Sequence, residues 1–386
     1  MRVLVALHRI GPYHRVRLVA AVEAGLEITV VQTRPQSQEY LWSFDPAGPY
    51  TLVNYRGAAN PEADPPLDLL DDQMAALLDR SRPAAIVSVG WADRAYQRLL
   101  LLAHRRRIPV VIVSDSRQRD EPRSVGKEWI KRQLLRGYAA ALVAGQESLA
   151  YLEGLGFPLS AIFQPWDVVD NGWFQAAAAQ AAAAPRPPHF LCVSRFVEKK
   201  NHSGLLQAYA AYQQQGGTWG LQLVGSGPLQ AAIEAQIEVL PDPARVQLHT
   251  SYQLDDLGRL YGQASAFVLG SSRDQWGLVV NEAMAAGLPC LVSNACGCAV
   301  DLIEHGVTGW CFDPGNSSAL SALLHTAERQ SPPWRHAMQA AARQRLEDFS
   351  PERFATGLQH AVQWALRHPR FSRRAAFTAQ LLSRLF

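Results

Sequence analysis

The sequence is poor in cysteine, and the cysteines present do not form a metal-binding pattern. Their number, five, is odd, and they stand in apolar or glycine-rich surroundings. They are Cys192, Cys290, Cys296, Cys298 and Cys311. Buried reduced thiols of a cytosolic protein explain them better than a disulfide framework. Cys296 and Cys298 form a C-x-C pair without a second Cys/His pair at metal-ligand spacing, so we expect no zinc site.

The sequence also lacks a long apolar run. No stretch approaches the roughly 20 apolar residues of a membrane-spanning helix, and the run in MRVLVALHRIG is too short for a signal-peptide core. A hydrophobic fraction of 48% with 18% charged residues is typical of a globular protein rather than a disordered one. We therefore expect a cytoplasmic protein, attached at most peripherally to the inner face of a membrane.

Two segments carry an excess of basic over acidic residues. Residues 103–136 carry ten Arg/Lys and four Asp/Glu, and residues 367–386 carry five arginines and no acid. Such segments suit an anionic phospholipid surface or a phosphorylated acceptor. An ordinary solvated arginine-rich surface explains each segment equally well.

Short apolar runs alternate with amphipathic stretches along most of the chain. This alternation predicts βαβ units with parallel sheets, and 386 residues are enough for two such domains. The alanine- and proline-rich stretch QAAAAQAAAAPRPP marks the boundary. The predicted segments are an N-terminal Rossmann-like domain at 1–171, a linker at 172–188, a C-terminal Rossmann-like domain at 189–350, and, at 351–386, a C-terminal helix that crosses back to the N-terminal domain and a basic tail.

The segment SSRDQWGLVVNEAMAAG leads from a predicted strand into a helix that Gly277 opens. Backbone N–H groups at residues 277–279 would form an anion site, since the N-terminus of a helix favours phosphate. Glu282 stands on the first turns of that helix, where a carboxylate can accept both hydroxyls of a ribose. Asp274 precedes the helix and can reach another part of a ligand, such as the hydroxyls of a sugar.

Two further segments follow strands of the C-terminal half. In SRFVEKKN, Arg195 and Lys200 lie in a strand-to-helix loop, so that both cations can reach the carboxyl edge of the sheet and bind a diphosphate. In VGSGPL, Gly225 and Gly227 form a glycine turn that is either part of a nucleotide site or simply a tight turn.

The N-terminal half carries fewer signals. Gly11 follows the first strand, and Asp115 and Ser116 follow a later strand. These residues could face an acceptor or the reacting sugar, although capping of a loop explains Asp115 about as well. His8 and His14 fit surface or capping roles better than catalysis.

The phrases SRFVEKKNHSGLLQAY, LVGSGPL and SSRDQWGLVVNEAMAAGLPCLVS resemble the retaining glycosyltransferases of family 4, among the group 1 glycosyl transferases, which have the GT-B fold of two Rossmann-like domains facing across a cleft. The Glu-x7-Glu motif of that family reads here Asp274-x7-Glu282. The resemblance implies that Arg195 and Lys200 bind the donor diphosphate, Glu282 the ribose and Asp274 the transferred sugar. It also implies a donor site that includes Gly225, Gly227, Trp276, Gly277, Leu278 and Val279.

The resemblance implies a hexosyltransferase whose donor is a nucleotide diphosphate sugar, commonly a UDP-sugar. Its acceptor would be a glycan or a lipid-linked glycan, such as a precursor of a cell-envelope polysaccharide. No D-x-D triplet stands where it could hold the diphosphate through a cation. Two basic residues take that role, so we expect no metal and no other cofactor. We also expect no nucleic-acid partner.

Three alternatives are open. A sugar-nucleotide epimerase of the same fold would share the βα pattern, although the four motif residues resemble those of transferases more closely. An NAD-dependent dehydrogenase fits the alternation, but the first strand leads into HRIGPYH rather than G-x-G-x-x-G. A nucleotide-sugar-binding regulator without turnover would bind a donor and release no product.

Overall fold

The computed structural model describes residues 1–34, 44–55, 67–181, 186–250 and 254–385. Strands and helices alternate along these residues. The strands are β1 (Arg2–Leu7), β2 (Glu27–Gln32), β3 (Thr51–Asn54), β4 (Ala85–Val89), β5 (Val110–Ser114), β6 (Ala140–Val143), β7 (Ile162–Phe163), β8 (His189–Val193), β9 (Gly220–Val224), β10 (Val246–His249), β11 (Ala266–Leu269), β12 (Cys290–Ser293) and β13 (Trp310–Phe312). The helices are α1 (Pro12–Glu23), α2 (Leu67–Ser81), α3 (Arg94–Arg105), α4 (Val125–Leu135), α5 (Gln146–Gly154), α6 (Asn171–Ala181), α7 (His202–Gln214), α8 (Gln230–Glu238), α9 (Leu254–Gln263), α10 (Leu278–Ala285), α11 (Ala299–Leu302), α12 (Ser317–Arg329), α13 (Pro332–Leu346), α14 (Pro351–Arg367) and α15 (Arg373–Leu385).

The chain divides into two compact units, each built on one parallel sheet. Unit 1 comprises Met1–Val168 and Pro351–Phe386, and unit 2 comprises Val169–Ser350. The strand order is β3-β2-β1-β4-β5-β6-β7 in unit 1 and β10-β9-β8-β11-β12-β13 in unit 2. Central strands such as β5 and β11 are buried along their whole length, as expected when helices cover both faces of a sheet. The expectation of two α/β domains with parallel sheets is confirmed.

The strand order of unit 2 reverses between β8 and β11. Strand β8 is flanked by β9, which follows it in sequence, and by β11 on its other side. Open parallel sheets bind ligands at such a reversal, outside the carboxyl ends of the strands. The loops that follow β8 and β11 are therefore the loops that the topology assigns to a ligand.

Helix α6 differs from the linker predicted at 172–188. It forms because its alanines favour a helix, and it packs closely on α9 because two glycines of α9 face it. A methyl group placed on Gly258 would lie 2.3 Å from Ala177 Cβ, and one on Gly262 would lie 2.4 Å from the carbonyl oxygen of Ala178. Helix α6 thus belongs to unit 2, and residues 182–185 of the predicted linker lie outside the described residues.

The last two helices belong to unit 1. Helix α14 packs on α1 and on β6 and β7, with Phe354 against the ring of Trp166. Most of the predicted basic tail forms helix α15, which packs on α3 and α4. Within the described residues, no helix combines the length and the apolar character needed to cross a bilayer.

Candidate active site

Asn201 fixes the loop between β8 and α7. It adopts a left-handed conformation (φ 52°, ψ 46°) and caps α7 by accepting a hydrogen bond from the Gly204 N–H at 3.2 Å. Its amide nitrogen donates to the carbonyl oxygens of Gly270 and Pro314, each at 3.1 Å. One side chain therefore ties the loop after β8 to the loop after β11 and positions Lys200 beside the latter. Sequence reasoning missed this role, although an asparagine directly before a helix was a visible signal.

Lys200 and Asp274 form an ion pair between these two loops. The side chains are 13% and 11% exposed, so water screens the pair only partly. The Ser271 hydroxyl approaches the same carboxylate oxygen at 3.5 Å, and the Gly297 N–H donates to the Asp274 carbonyl at 2.9 Å. The pair brings together two residues that are 74 positions apart in the sequence, the residue predicted to bind a diphosphate and the residue predicted to bind a sugar.

Gly277 places the N-terminus of α10 beside this pair. Its φ of 103° lies in the left-handed region, which a glycine adopts without strain. A methyl group on Gly277 would lie 3.7 Å from Asp274 Oδ2 and 3.3 Å from Leu269 Cδ2. The partial positive charge of the first turn, which Leu278 and Val279 begin, therefore lies close to the Asp274 carboxylate and to its Lys200 partner.

Glu282 lies deeper than the sequence predicted. It is the fifth residue of α10, it is fully buried, and the Tyr261 hydroxyl donates to its Oε2 at 2.7 Å. Tyr261, on α9, is itself fully buried. The predicted position facing an open pocket is therefore replaced by a carboxylate held inside unit 2. Sequence reasoning missed Tyr261 because nothing in its neighbourhood distinguishes it from an ordinary core tyrosine.

Trp276 is a packing residue in this structure rather than a surface of the site. It is 4% exposed, its indole N–H donates to Asn281 Oδ1 at 2.9 Å, and its ring packs on Phe349 at 5.4 Å between centroids. These contacts hold the segment that leads into α10. Its predicted part in donor binding is thus at most indirect, through the position of Gly277.

Gly225 and Gly227 are required by a close approach of two backbones. A methyl group on Gly225 would lie 1.9 Å from the carbonyl oxygen of Ser194, and one on Gly227 would lie 2.5 Å from that of Phe196. The Phe196 N–H donates to the Ser226 carbonyl at 2.8 Å. The turn therefore packs against the backbone of the loop after β8 and holds that loop in place. This packing role agrees with the simpler of the two interpretations of VGSGPL.

Arg195 and His202 complete the loop after β8. The Arg195 side chain is exposed, whereas His202 is buried and bonds through Nε2 to the Ser194 hydroxyl at 3.0 Å. Burial, with a smaller contribution from the Lys200 charge, lowers the pKa of His202 to about 4. The imidazole is therefore neutral and helps to hold the loop without adding a cation.

The predicted residues of unit 1 lie at the carboxyl edge of its sheet. The Gly11 N–H, at the start of α1, donates to His14 Nδ1 at 3.2 Å, and burial followed by the Arg17 charge lowers the pKa of His14 to about 3. Asp115 and Ser116 follow β5 and are partly exposed. Burial raises the pKa of Asp115, and the Arg17 charge partly opposes this effect.

Sequence reasoning missed an ion pair and a histidine–carboxylate contact of unit 1. Arg17 is 2% exposed and donates to Asp167 Oδ1 at 2.9 Å, with its guanidinium 4.7 Å from the ring centre of Trp166. At the end of β1, His8 Nε2 lies 3.1 Å from Asp93 Oδ2 and stacks on Tyr96 at 5.0 Å. His8 therefore has a capping and packing environment, in line with the role favoured from its sequence context.

Among the residues that the structure describes, no three His, Cys, Asp or Glu side chains lie close enough together to hold a metal ion. Cys296 and Cys298 are buried and form no disulfide, and burial raises the pKa of Cys298 well above its ordinary value. The C-x-C pair thus has the character of core residues.

Residues 174–345 match the protein family described as Glycosyl transferases group 1. The amylovoran biosynthesis glycosyltransferase AmsK of Erwinia amylovora is 33% identical over 148 residues, covering 37% of this chain and 36% of AmsK. The N-acetyl-alpha-D-glucosaminyl L-malate synthase of Bacillus anthracis is 30% identical over 129 residues, covering 33% of each chain. The matched region is thus about a third of these two curated relatives.

Two solved structures are similar over almost the whole chain. The complex of Anabaena Alr3699/HepE with UDP has a TM-score of 0.73 at 16% identity and covers 94% of this chain and 100% of that one. Sucrose-phosphate synthase from Thermosynechococcus elongatus has a TM-score of 0.72 at 17% identity, with coverages of 94% and 98%. At such identities the likeness establishes the fold, and the expected GT-B fold class is confirmed.

Proposed function

We propose that this chain is a retaining glycosyltransferase of family 4 that moves a hexosyl group from a UDP-sugar to a glycan acceptor. The observation that carries the proposal is the Lys200–Asp274 pair beside the N-terminus of α10. It places a cation, an acid and a helix N-terminus together at the strand-order reversal of unit 2. The match of residues 174–345 to group 1 glycosyl transferases supports this assignment.

The chemistry requires stabilisation of a leaving diphosphate. As the bond between the sugar and the diphosphate breaks, negative charge grows on the phosphate oxygens. Lys200, Arg195 and the first-turn N–H groups of α10 stabilise that charge more strongly in the transition state than in the bound donor. A bound diphosphate replaces Asp274 as the partner of Lys200. The released Asp274 carboxylate then accepts a hydrogen bond from a hydroxyl group of the transferred sugar.

In this proposal the bound donor displaces the packing that buries Glu282, the Glu282 carboxylate accepts hydrogen bonds from the ribose hydroxyls, and Tyr261 orients that carboxylate. The 2.7 Å hydrogen bond occupies one carboxylate oxygen, and a carboxylate can accept further donors at its remaining lone pairs. Tyr261 is thus a positioning residue, because it acts through Glu282.

We further propose that transfer needs no metal ion. Lys200 and Arg195 supply the positive charge that a divalent cation supplies in other sites. Product formation should therefore persist in the presence of a chelator, and its abolition by the chelator with recovery on addition of Mg²⁺ would contradict this part of the proposal.

We place the acceptor at unit 1, on the loops that carry Gly11, Asp115 and Ser116. A polysaccharide or lipid-linked precursor is the acceptor class we propose. Support comes from relatives whose names refer to the biosynthesis of amylovoran and of colanic acid.

The test follows nucleoside diphosphate release from a panel of nucleotide sugars. The wild type is compared with Glu282→Ala and Lys200→Met, and Lys199→Met is the matched control because it removes a neighbouring charge outside the pair. We expect slow release from one donor, lowered about 10²- to 10³-fold in Lys200→Met, the usual effect of removing one group that stabilises developing charge. Lys200→Arg keeps the charge and should retain more activity than Lys200→Met.

Other outcomes separate the alternatives. Tight binding of a donor, with no release in the presence of a range of glycan acceptors, would favour a nucleotide-sugar-binding regulator. Conversion of one nucleotide sugar into another without release would favour an epimerase. Failure to bind any nucleotide sugar, in protein whose thermal unfolding is normal, would refute the proposal.

A further inference from the structure

Helix α15 exposes two of its large apolar side chains and buries its small ones. Ala375, Ala379 and Leu382 are at most 8% exposed and pack toward the body of unit 1, whereas Phe377 is 70% exposed and Leu381 is 49% exposed. The buried positions already cover the underlying helices, so this apolar face is not needed to complete the core. An exposed apolar stripe of this kind marks an interaction surface.

Arginines border the stripe on the same face of the helix. Arg373, Phe377, Leu381 and Arg384 follow one another at helical spacing of four, four and three residues, and both arginines are exposed. The segment 367–386 contains no acidic residue. The face therefore combines apolar side chains with positive charge alone.

Helix α4, a packing neighbour of α15, repeats the pattern. Val125 is 90% exposed and Trp129 is 59% exposed, and the exposed Arg132 continues the same face one turn later. Gly137, two residues beyond the end of α4, lies against α15, and an added methyl group there would lie 2.9 Å from Ala375 Cβ. Two basic and apolar stripes thus lie on adjoining helices of unit 1.

We propose that these stripes, named here the α4–α15 surface and defined by Val125, Trp129, Arg132, Arg373, Phe377, Leu381 and Arg384, bind an anionic lipid bilayer. Helices with a basic and apolar face lie in the headgroup region, where apolar side chains insert and arginines meet lipid phosphates. Charge complementarity favours this partner over a second copy of the chain, because two copies would bring like charges together.

The test measures co-flotation of the full chain with vesicles at low ionic strength. Vesicles of equal parts phosphatidylglycerol and phosphatidylcholine should bind the protein, vesicles of phosphatidylcholine alone should bind it much more weakly, and salt should weaken binding. Arg373→Glu with Arg384→Glu should weaken binding at least about 25-fold, because each basic residue near an anionic surface contributes about fivefold. Phe377→Ser with Leu381→Ser should weaken it at least about tenfold.

Matched controls separate the surface from general effects. Arg186→Glu with Arg329→Glu and Val239→Ser with Val307→Ser change exposed residues outside unit 1 and should leave binding unchanged. Brominated lipids should quench fluorescence in the wild type, and Trp129→Phe should lose that quenching. Donor hydrolysis without vesicles should be equal in wild type and surface variants, so this proposal can fail independently of the proposed function.

Three results would overturn the proposal. These are absence of flotation with the anionic vesicles, equal flotation with neutral vesicles, and binding that the surface substitutions leave unchanged. A concentration-dependent dimer that Phe377→Ser dissociates, without vesicle binding, would instead identify a second copy as the occupant.

Discussion

The hydrogen bond between Tyr261 and Glu282 makes a quantitative prediction about unit 2. Both side chains are fully buried, and the hydroxyl lies 2.7 Å from Glu282 Oε2. Tyr261→Phe removes that donor and keeps the ring, so it leaves no cavity. A hydrogen bond contributes about 1.5–3 kcal/mol when its acceptor is ionised and about 0.5–1.5 kcal/mol when its acceptor is neutral. We therefore expect Tyr261→Phe to lower the free energy of unfolding by about 1.5–3 kcal/mol for an ionised Glu282 and by about 0.5–1.5 kcal/mol for a protonated one.

The control is Tyr209→Phe, in the same unit. The Tyr209 side chain is also fully buried, but its hydroxyl donates to the neutral carbonyl oxygen of Trp219 at 2.9 Å. A neutral hydrogen bond contributes about 0.5–1.5 kcal/mol. The difference between the two variants therefore reports on the charge of the acceptor, since both lose one hydroxyl from the core.

A double-mutant cycle with Glu282→Gln measures the part of the coupling that depends on the carboxylate, because the amide oxygen of glutamine can still accept a hydrogen bond from Tyr261. Urea unfolding of the wild type, Tyr261→Phe, Glu282→Gln and the double variant gives the interaction energy, which we expect to be about 1–2 kcal/mol. Independent residues add to within about 0.5 kcal/mol, so an interaction energy below that value would refute the reasoning. Calorimetry of donor binding on the same four proteins would then show whether the coupled carboxylate contacts the donor.

Two other predictions concern the loop after β8. Gly225→Ala should destabilise the protein by about 1–3 kcal/mol more than Gly216→Ala in urea unfolding, because both glycines have positive φ but only the methyl group on Gly225 meets another backbone. Equal losses would contradict the steric role of Gly225. The pKa of His202 is about 4 in the folded protein, against 6.5 for an ordinary histidine. Its contribution to stability is therefore present above pH 6.5 and should be lost, by up to about 3 kcal/mol, as the pH falls from 6.5 to 4. The unfolding free energy of His202→Gln should fall less steeply over this interval, and parallel pH profiles for the two proteins would contradict the neutral, buried state of His202.

Much of the candidate site could be predicted from local pattern. Lys200 and Asp274 each follow a strand of the same parallel sheet, and the carboxyl ends of such strands meet at one edge. Gly277 directly precedes a helix, so the N-terminus of α10 could be predicted as a candidate anion site from the sequence. The local pattern does not show how deeply a side chain is buried. For that reason Glu282 was expected at the surface of a pocket, whereas it is fully buried in the structure.

Predictions from composition were less accurate because composition does not specify packing partners. The alanine-rich stretch at 175–184 was interpreted as part of a linker, yet helix α6 packs on the glycine face of α9. Gly258 and Gly262 stand some 80 residues further along the chain, and only their proximity gives the alanines a surface to cover.

By itself, the sequence determined the alternation of strands and helices along most of the chain, the loops at the carboxyl edge of each sheet, and the residue types in those loops. These properties depend on neighbours within a few residues, which a sequence displays directly. The tertiary structure alone decided that Tyr261 meets Glu282, that Asn201 joins two loops, and that α15 turns Phe377 outward. Periodicity shows which side chains share a face of a helix, but which face is buried depends on distant parts of the chain that pack against it.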